Sequence, residues 1–304
     1  MPKVSIVIPV YNVALYLREA LDSVINQTLK DIEIICINDC STDNSLEILK
    51  EYALKDSRIR IVEQTTNQGE VVAKYVGAKL AKADYIGTLD PDDYINPNMY
   101  EVMYKRITDD KSDAVFCNIR QVDENNIPLK KGVCVTKNNK TVLFNDKRIY
   151  KINVGTPNKL IKKELFLRAL NFTERDIWKD VYQYWRCFTY SDYKVSLVNE
   201  SLYVYRIRNN SITHSHTPIE IEWKNFYKTI DLLLDYMTLN NRYESNKKGF
   251  WIFVRKVIKN LFKNKVEYKK AIDEIYHLVK KYSISRKDLR ILTMKKFLLK
   301  LISM

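Results

Sequence analysis

The chain has 304 residues, of which 46% are apolar and 29% charged, a composition that fits a soluble globular protein with a large core and excludes a collagenous or low-complexity chain. No apolar run approaches the eighteen or so residues of a membrane span, and the first residues read as a strand rather than a signal peptide, so a cytoplasmic protein is expected. Five scattered cysteines without a CxxC pair argue against a disulfide framework and against zinc. The net charge of +14 is unevenly placed: residues 223–304 hold 20 Lys and Arg against 7 Asp and Glu, and the rest is close to neutral. The basicity therefore belongs to an attachment, and the split near residue 222 is the expected boundary signal.

In chain order, residues 3–9 form a mainly apolar run rich in β-branched residues, the pattern of a strand buried on both faces of a parallel sheet. Leu17, Leu21 and Val24 then recur at helical spacing. Residues 32–38 make a second strand, residues 59–63 a third and residues 84–89 a fourth, with helices between them. This alternation predicts right-handed βαβ crossovers and a doubly wound, mainly parallel α/β sheet. A strand at 113–118, a hairpin around 125–128, an irregular stretch over 137–163, a helix from Lys179 and two short strands at 195–197 and 202–206 follow. No internal repeat is present.

Ligands of such sheets sit at the carboxyl ends of the strands. Asn12, the polar run 39–45, Asn67-Gln68-Gly69 and Asp90-Pro91-Asp92-Asp93 all fall at those ends and so share one rim. Three carboxylates within four residues repel one another unless solvated in a turn or neutralised by a cation. Oxygen-only ligands suit Mg2+ or Mn2+. The alternative is a plain turn before a helix capped by Asp93 or Asn96. Asp39 is placed either to accept hydrogen bonds from a base or ribose, or to share a helix cap with Ser41 or Asp43. No GxGxxG or GxxxxGK[ST] follows the first strand, which disfavours dinucleotide and P-loop cradles.

Val4 to Asn12, Asn38 to Ser45, Asn67-Gln68-Gly69 and Asp90-Pro91-Asp92-Asp93 resemble the successive nucleotide-sugar motifs of family 2 glycosyltransferases. The likeness continues more weakly through Asn158-Lys159-Leu160 and Asp180 to Tyr203-Val204-Tyr205-Arg206, and fades after Thr213. It implies the GT-A fold and transfer of a sugar, with inversion, from a nucleoside-diphosphate-sugar, a UDP-sugar by first choice, to a hydroxyl of a glycan or lipid-linked acceptor in cell-surface polysaccharide synthesis. Carried onto this chain, Pro9, Tyr11, Asn12, Asn67 and Gly69 would border the donor and Asp39 would face its base. Lys74, where the family commonly has Arg, would keep a cation there. Asp90 and Asp92 would meet the donor's diphosphate side, with Asp92 and Asp93 holding Mn2+ or Mg2+.

Asp180 would be the base, although Lys179 replaces its usual acidic neighbour; Glu174 and Asp176 are nearby substitutes. His214 or His216, with Arg206 or Arg208, would close over the diphosphate, or the histidines are exposed loop residues. The resemblance implies a catalytic domain over 1–217, divided at 118 into a nucleotide-sugar half and an acceptor-side half, and a basic helical region over 218–304.

In that region Phe250, Trp251, Phe253, Val254, Val257, Ile258, Leu261 and Phe262 form an apolar stripe between basic residues. It would either lie on an anionic membrane at the inner face of the cytoplasmic membrane, or pack on the catalytic domain or on another subunit as a homo-oligomer. Three competing functions are a sugar nucleotidyltransferase, which would release pyrophosphate, a catalytically impaired homologue, and a nucleic-acid-binding protein. A nearly neutral main domain disfavours the last.

Overall fold

The computed structural model describes residues 1–130, 132–133, 136–143, 157–170, 177–189, 192–208, 218–262 and 265–285. By contact density the chain divides into two units, one of residues 1–143, 153–173 and 193–215, the other of residues 144–152, 174–192 and 216–304.

The first unit is built on a mixed sheet. Its strands are β1 (Val4–Val10), β2 (Ile32–Asn38), β3 (Ile59–Glu63), β4 (Tyr85–Thr88), β5 (Tyr94–Ile95), β6 (Ala114–Val122), β7 (Lys140–Leu143), β8 (Lys159–Lys162) and β9 (Lys194–Arg206). They lie in the order β3-β2-β1-β4-β8-β6-β9-β5, with β7 on β9. β1 runs parallel to β2 and β4, and β2 parallel to β3. Every residue of β1 is buried, as its unalternating apolar run requires of a strand covered on both faces.

The helices α1 (Ala14–Ile25), α2 (Ser45–Lys55), α3 (Glu70–Leu80), α4 (Met99–Asp109) and α5 (Lys163–Leu170) complete this unit. The buried residues of α1 (Leu17, Ala20, Leu21 and Val24) recur at the three-to-four spacing of one helix face and join the core formed by Ile6, Ile8, Ile34 and Cys36.

Several elements differ from the sequence expectation. The stretch 137–163 carries β7 and β8; β8 inserts antiparallel between β4 and β6. β9 is one strand of 13 residues rather than two short ones. Its exposed Asn199-Glu200-Ser201 segment is taken up by a register shift opposite Asn118, so the chain keeps pairing with β6 on either side. α4 takes no cap from Asp93 or Asn96, for its N-cap is Asn98, without a side-chain hydrogen bond.

The second unit contains α6 (Lys179–Thr189), α7 (Ile219–Leu239), α8 (Tyr243–Leu261) and α9 (Lys265–Lys281). α6 was expected with the catalytic domain but groups here. Its Trp185 is fully buried, with ring centroids 5.4 Å from Phe250 and 5.7 Å from Phe253 of α8. Arg242 Nε also donates to Thr189 O at the end of α6 (2.9 Å). The apolar stripe of α8 is thus core: Phe250, Trp251, Val254 and Ile258 are fully buried. A bilayer cannot take that face without unpacking the unit. Lys256 and Lys259 remain exposed. Among the described residues no helix is long and apolar enough to cross a membrane.

Candidate active site

The carboxyl ends of β1, β2 and β4 open onto a cleft of about 430 Å³ in the first unit. Pro9, Tyr11, Asn12, Asp39, Asn67, Gly69, Asp90 and Asp92 line it, joined by Tyr205 and Arg208 of the β9 end. The strand-end motifs therefore meet at one rim, as their placement in the sequence required.

The rim is tied together loop to loop. Asn12, at a left-handed φ of 47°, accepts the Thr42 amide on Oδ1 (2.7 Å), while its own amide donates to Ser41 Oγ (3.2 Å). Ser45 Oγ accepts from Val13 N (3.0 Å) and Asp43 Oδ2 from Ala14 N (2.9 Å), so the β2–α2 loop caps the first turn of α1. Burial alone would raise the Asp43 carboxyl, but hydrogen bonds from Ser45 and Ala14 outweigh it and hold the group below the ordinary carboxylate range.

Asp39 is 2% exposed and accepts three hydrogen bonds: Gln64 Nε2 (2.9 Å) and the Gln68 amide (2.8 Å) on Oδ1, and the Gly69 amide (2.7 Å) on Oδ2. Its carboxylate therefore builds the Asn67-Gln68-Gly69 turn at the start of α3 and does not share the cap of α2, whose N-cap is Asn44, with Ser41 or Asp43. Gly69 holds φ at 87°, which a residue with a side chain rarely adopts, and its amide is the second of two successive amides turned to Asp39.

The acidic turn splits its three carboxylates. Asp90 faces the cleft and receives Lys74 Nζ at 3.2 Å; Lys74 also pairs with Glu70. Burial raises the Asp90 carboxyl, Lys74 opposes this, and Glu70 and Asp92 add to it. Asp92 also faces the cleft and pairs with Arg208.

Asp93 does not share this position. It is 2% exposed, and accepts Tyr203 Oη (2.7 Å) on Oδ2 and the Arg206 amide (2.8 Å) on Oδ1. Burial, with the charges of Asp90 and Asp92, pushes it well above the ordinary range, while the two donors pull the other way. The expected metal ligand is instead an anchor of the turn.

Arg206 is likewise an anchor and not a cleft residue. Its side chain is 2% exposed; Nε donates to Asp92 O (2.9 Å), Nη1 to Asn126 Oδ1 (2.8 Å) and to Glu124 O (3.3 Å), and Nη2 pairs with Glu19. The basic residue on the cleft wall is Arg208. Tyr203, which also accepts the Asp90 amide (3.3 Å), falls in the stretch of weaker likeness, but its anchoring role was not legible there because an aromatic in a strand carries no mark of it.

Among the described residues no three His, Cys, Asp or Glu side chains form a self-sufficient metal cage. Asp90 and Asp92 on the cleft wall beside Arg208 instead fit an ion such as Mg2+, which takes one or two protein carboxylates and leaves its other positions to water and phosphate oxygens. Asp180 lies on α6 in the second unit, where its backbone alone is described; Lys179 beside it is exposed. Glu174, Asp176, His214 and His216 lie outside the described residues.

The model of Glycosyl transferase family 2 matches residues 5–169, more than half of the chain and every strand-end motif of the cleft except the end of β9. The chain belongs to glycosyl transferase family 2. This family 2 glycosyltransferase is 32% identical over 230 residues to Glycosyltransferase GlyG of Streptococcus pneumoniae serotype 4, covering 72% of this chain and 75% of that one. It is 36% identical over 166 residues to a Poly(ribitol-phosphate) beta-glucosyltransferase of Bacillus spizizenii; these are 54% of this chain and 25% of the longer relative. The crystal structure of S. aureus TarS 1-349 in complex with UDP-GlcNAc superposes with a TM-score of 0.76 at 18% identity, over 95% of this chain and 84% of that one. The family 2 glycosyltransferase thus has the GT-A fold, and it has relatives in polysaccharide synthesis.

Proposed function

We propose that this glycosyltransferase moves a sugar, with inversion, from a UDP-sugar to a hydroxyl of a glycan or lipid-linked acceptor in cell-surface polysaccharide synthesis. The observation that carries the reading is the shared rim: Asp39 fixes the 67–69 turn on one side of the cleft, and the anchored 90–93 turn presents Asp90 and Asp92 on the other. UDP is favoured because the TarS structures were obtained with UDP and UDP-GlcNAc.

Asp92, with Asp90, would hold Mn2+ or Mg2+, which when bound offsets the charge that develops on the leaving diphosphate. Lys74 keeps a cation beside Asp90. Tyr11, 49% exposed at the end of β1, offers its ring to the base, and Pro9, Asn12, Asn67 and Gly69 shape the pocket around the nucleoside. Asp180 would accept the acceptor's proton as it attacks, in a single displacement that inverts the anomeric centre. His214 would close over the diphosphate from the segment after Arg208.

A panel of nucleoside diphosphates with and without Mn2+, read by calorimetry, tests the site. UDP with Mn2+ should bind, and absence of binding by every nucleoside diphosphate would overturn the reading. Product analysis should find free nucleoside diphosphate and no pyrophosphate. Asp180→Asn should keep donor affinity and lower kcat by at least a hundredfold.

Attachment to the inner face of an anionic membrane would run through the exposed basic residues rather than the buried stripe, each adding about 1 kcal/mol near the surface. Flotation with phosphatidylglycerol vesicles should then fall steeply between 50 mM and 500 mM salt. Salt-insensitive flotation would exclude the electrostatic mode.

A further inference from the structure

Two arginines, two residues apart at the end of β9, have been given opposite surroundings. Arg206 is sealed and saturated by oxygen acceptors. Arg208 stands on the cleft wall with its side chain 25% exposed, and its guanidinium pairs with Asp92. Its Nε is buried and donates to nothing among the described residues. Both guanidiniums stand over the ring of Tyr16 on α1, Arg206 at 5.2 Å and Arg208 at 5.1 Å from the centroid, so Arg208 has an aromatic platform that does not depend on Asp92.

We propose that Arg208 is an exchangeable counter-charge: it occupies Asp92 until a donor diphosphate enters, then moves to the diphosphate and leaves Asp92 to the divalent cation. The inference rests on the donor reading above and adds to it an order of events within the same site.

The physical case is one of competition. Asp92 lines the cleft, and a guanidinium on its Oδ2 holds an oxygen that a divalent cation would take. Arg binds a diphosphate in a planar, two-point fashion at least as well as it binds a carboxylate. Stacking on Tyr16 limits the guanidinium to a short swing along the wall, and the spare Nε gives it a second donor for the new partner. Metal alone must displace Arg208 from Asp92 and leave the guanidinium without a counter-charge, whereas metal arriving with a diphosphate brings it a new one. Binding of the two is therefore coupled through Arg208, by the five- to hundredfold typical of such linkage.

The test uses the full chain and its Arg208→Gln and Arg208→Lys variants, with circular dichroism and melting temperature confirming the fold. Mn2+ alone is titrated by electron paramagnetic resonance, and UDP in saturating Mn2+ by calorimetry. Arg208→Gln should bind Mn2+ alone about fivefold more tightly than wild type, and UDP with Mn2+ at least tenfold more weakly. Arg208→Lys, which keeps the charge but loses the planar pair and the stack, should bind Mn2+ alone about threefold more tightly.

Unchanged or weaker Mn2+ binding in Arg208→Gln overturns the proposal. So does wild-type Mn2+ affinity in Arg208→Lys, which would reduce Arg208 to a distant positive charge. If Arg208→Gln does not fold, Arg208→Lys decides alone. A wild-type chain that binds no nucleoside diphosphate removes the donor reading itself, whereas one that binds UDP and Mn2+ while the variants behave as described under overturning removes this proposal and leaves the reading standing.

Discussion

Tyr203 Oη lies 2.7 Å from Asp93 Oδ2, across 110 residues of sequence, and the same hydroxyl accepts the Asp90 amide. One buried phenol thus fixes both ends of the turn that presents Asp90 and Asp92. Tyr203→Phe removes a donor from a buried carboxyl and an acceptor from a buried amide, at a cost of about 1–3 kcal/mol. Urea unfolding should show that loss, and Mn2+ affinity should fall although Tyr203 does not itself line the cleft. A variant as stable as wild type would show that the turn holds itself.

Asp39→Asn changes shape little but must place an amide NH2 where the carboxylate now accepts from Gln64, Gln68 or Gly69. The expected cost is again about 1–3 kcal/mol. UDP affinity should drop at least tenfold as the 67–69 turn loosens. Affinity retained at wild-type level would remove Asp39 from the architecture of the pocket.

Asp43 bears on acid stability. Its folded carboxyl lies below the ordinary range, so its contribution is present above the unfolded value near about pH 4 and fades as pH falls through the folded value. Asp43→Ala should therefore be less stable than wild type at neutral pH, by about 1 kcal/mol for a lost helix cap, and the gap should narrow as the pH is taken below the ordinary carboxylate range. A gap that stayed constant with pH would place the loss in packing instead.

Cysteine reactivity separates core from rim. Burial pushes the Cys36 and Cys117 thiols up to about 12, so neither offers thiolate at neutral pH, while Cys40 is only partly buried. Alkylation followed by peptide mass mapping should label Cys40 in the native protein and leave Cys36 and Cys117 untouched until denaturant is added. Native labelling of Cys36 would mean that the central sheet opens.

Trp185→Ala empties the centre of the helical unit, where the indole meets Phe250 and Phe253. The expected cost is about 3–5 kcal/mol. Calorimetric unfolding should show the loss in the transition that carries the helical unit, and a melting curve identical to wild type would contradict the packing of α6.

The parallel half of the sheet was legible because both faces of β1 and β2 are covered, which writes runs rich in Val and Ile into the sequence. The rim was legible because polar clusters interrupt those runs at one end only. β7 and β8 were not: four residues beginning in lysine resemble a loop, and only pairing with β9 or between β4 and β6 makes them strands. The exposed Asn199-Glu200-Ser201 segment reads as a break, though a register shift keeps β9 whole. Within the site, adjacent Asp92 and Asp93 differ only in the direction their side chains take, and Arg206 and Arg208 only in what surrounds them. Residue type announces a charge near the site; it does not announce which charge is spent on holding the backbone.

The acidic turn follows β4 in sequence but takes its anchors from β9, more than 100 positions downstream. During synthesis, the parallel strands can pair well before the last long strand leaves the ribosome, since their contacts are nearer neighbours along the chain. Until then Asp93 lacks the hydrogen bonds from Tyr203 and Arg206 that turn it away from Asp90 and Asp92. Arrival of Tyr203 and Arg206 is what sorts them, so competence to grip a phosphate-bound ion is acquired late, as a property of the completed sheet rather than of the segment that carries the carboxylates.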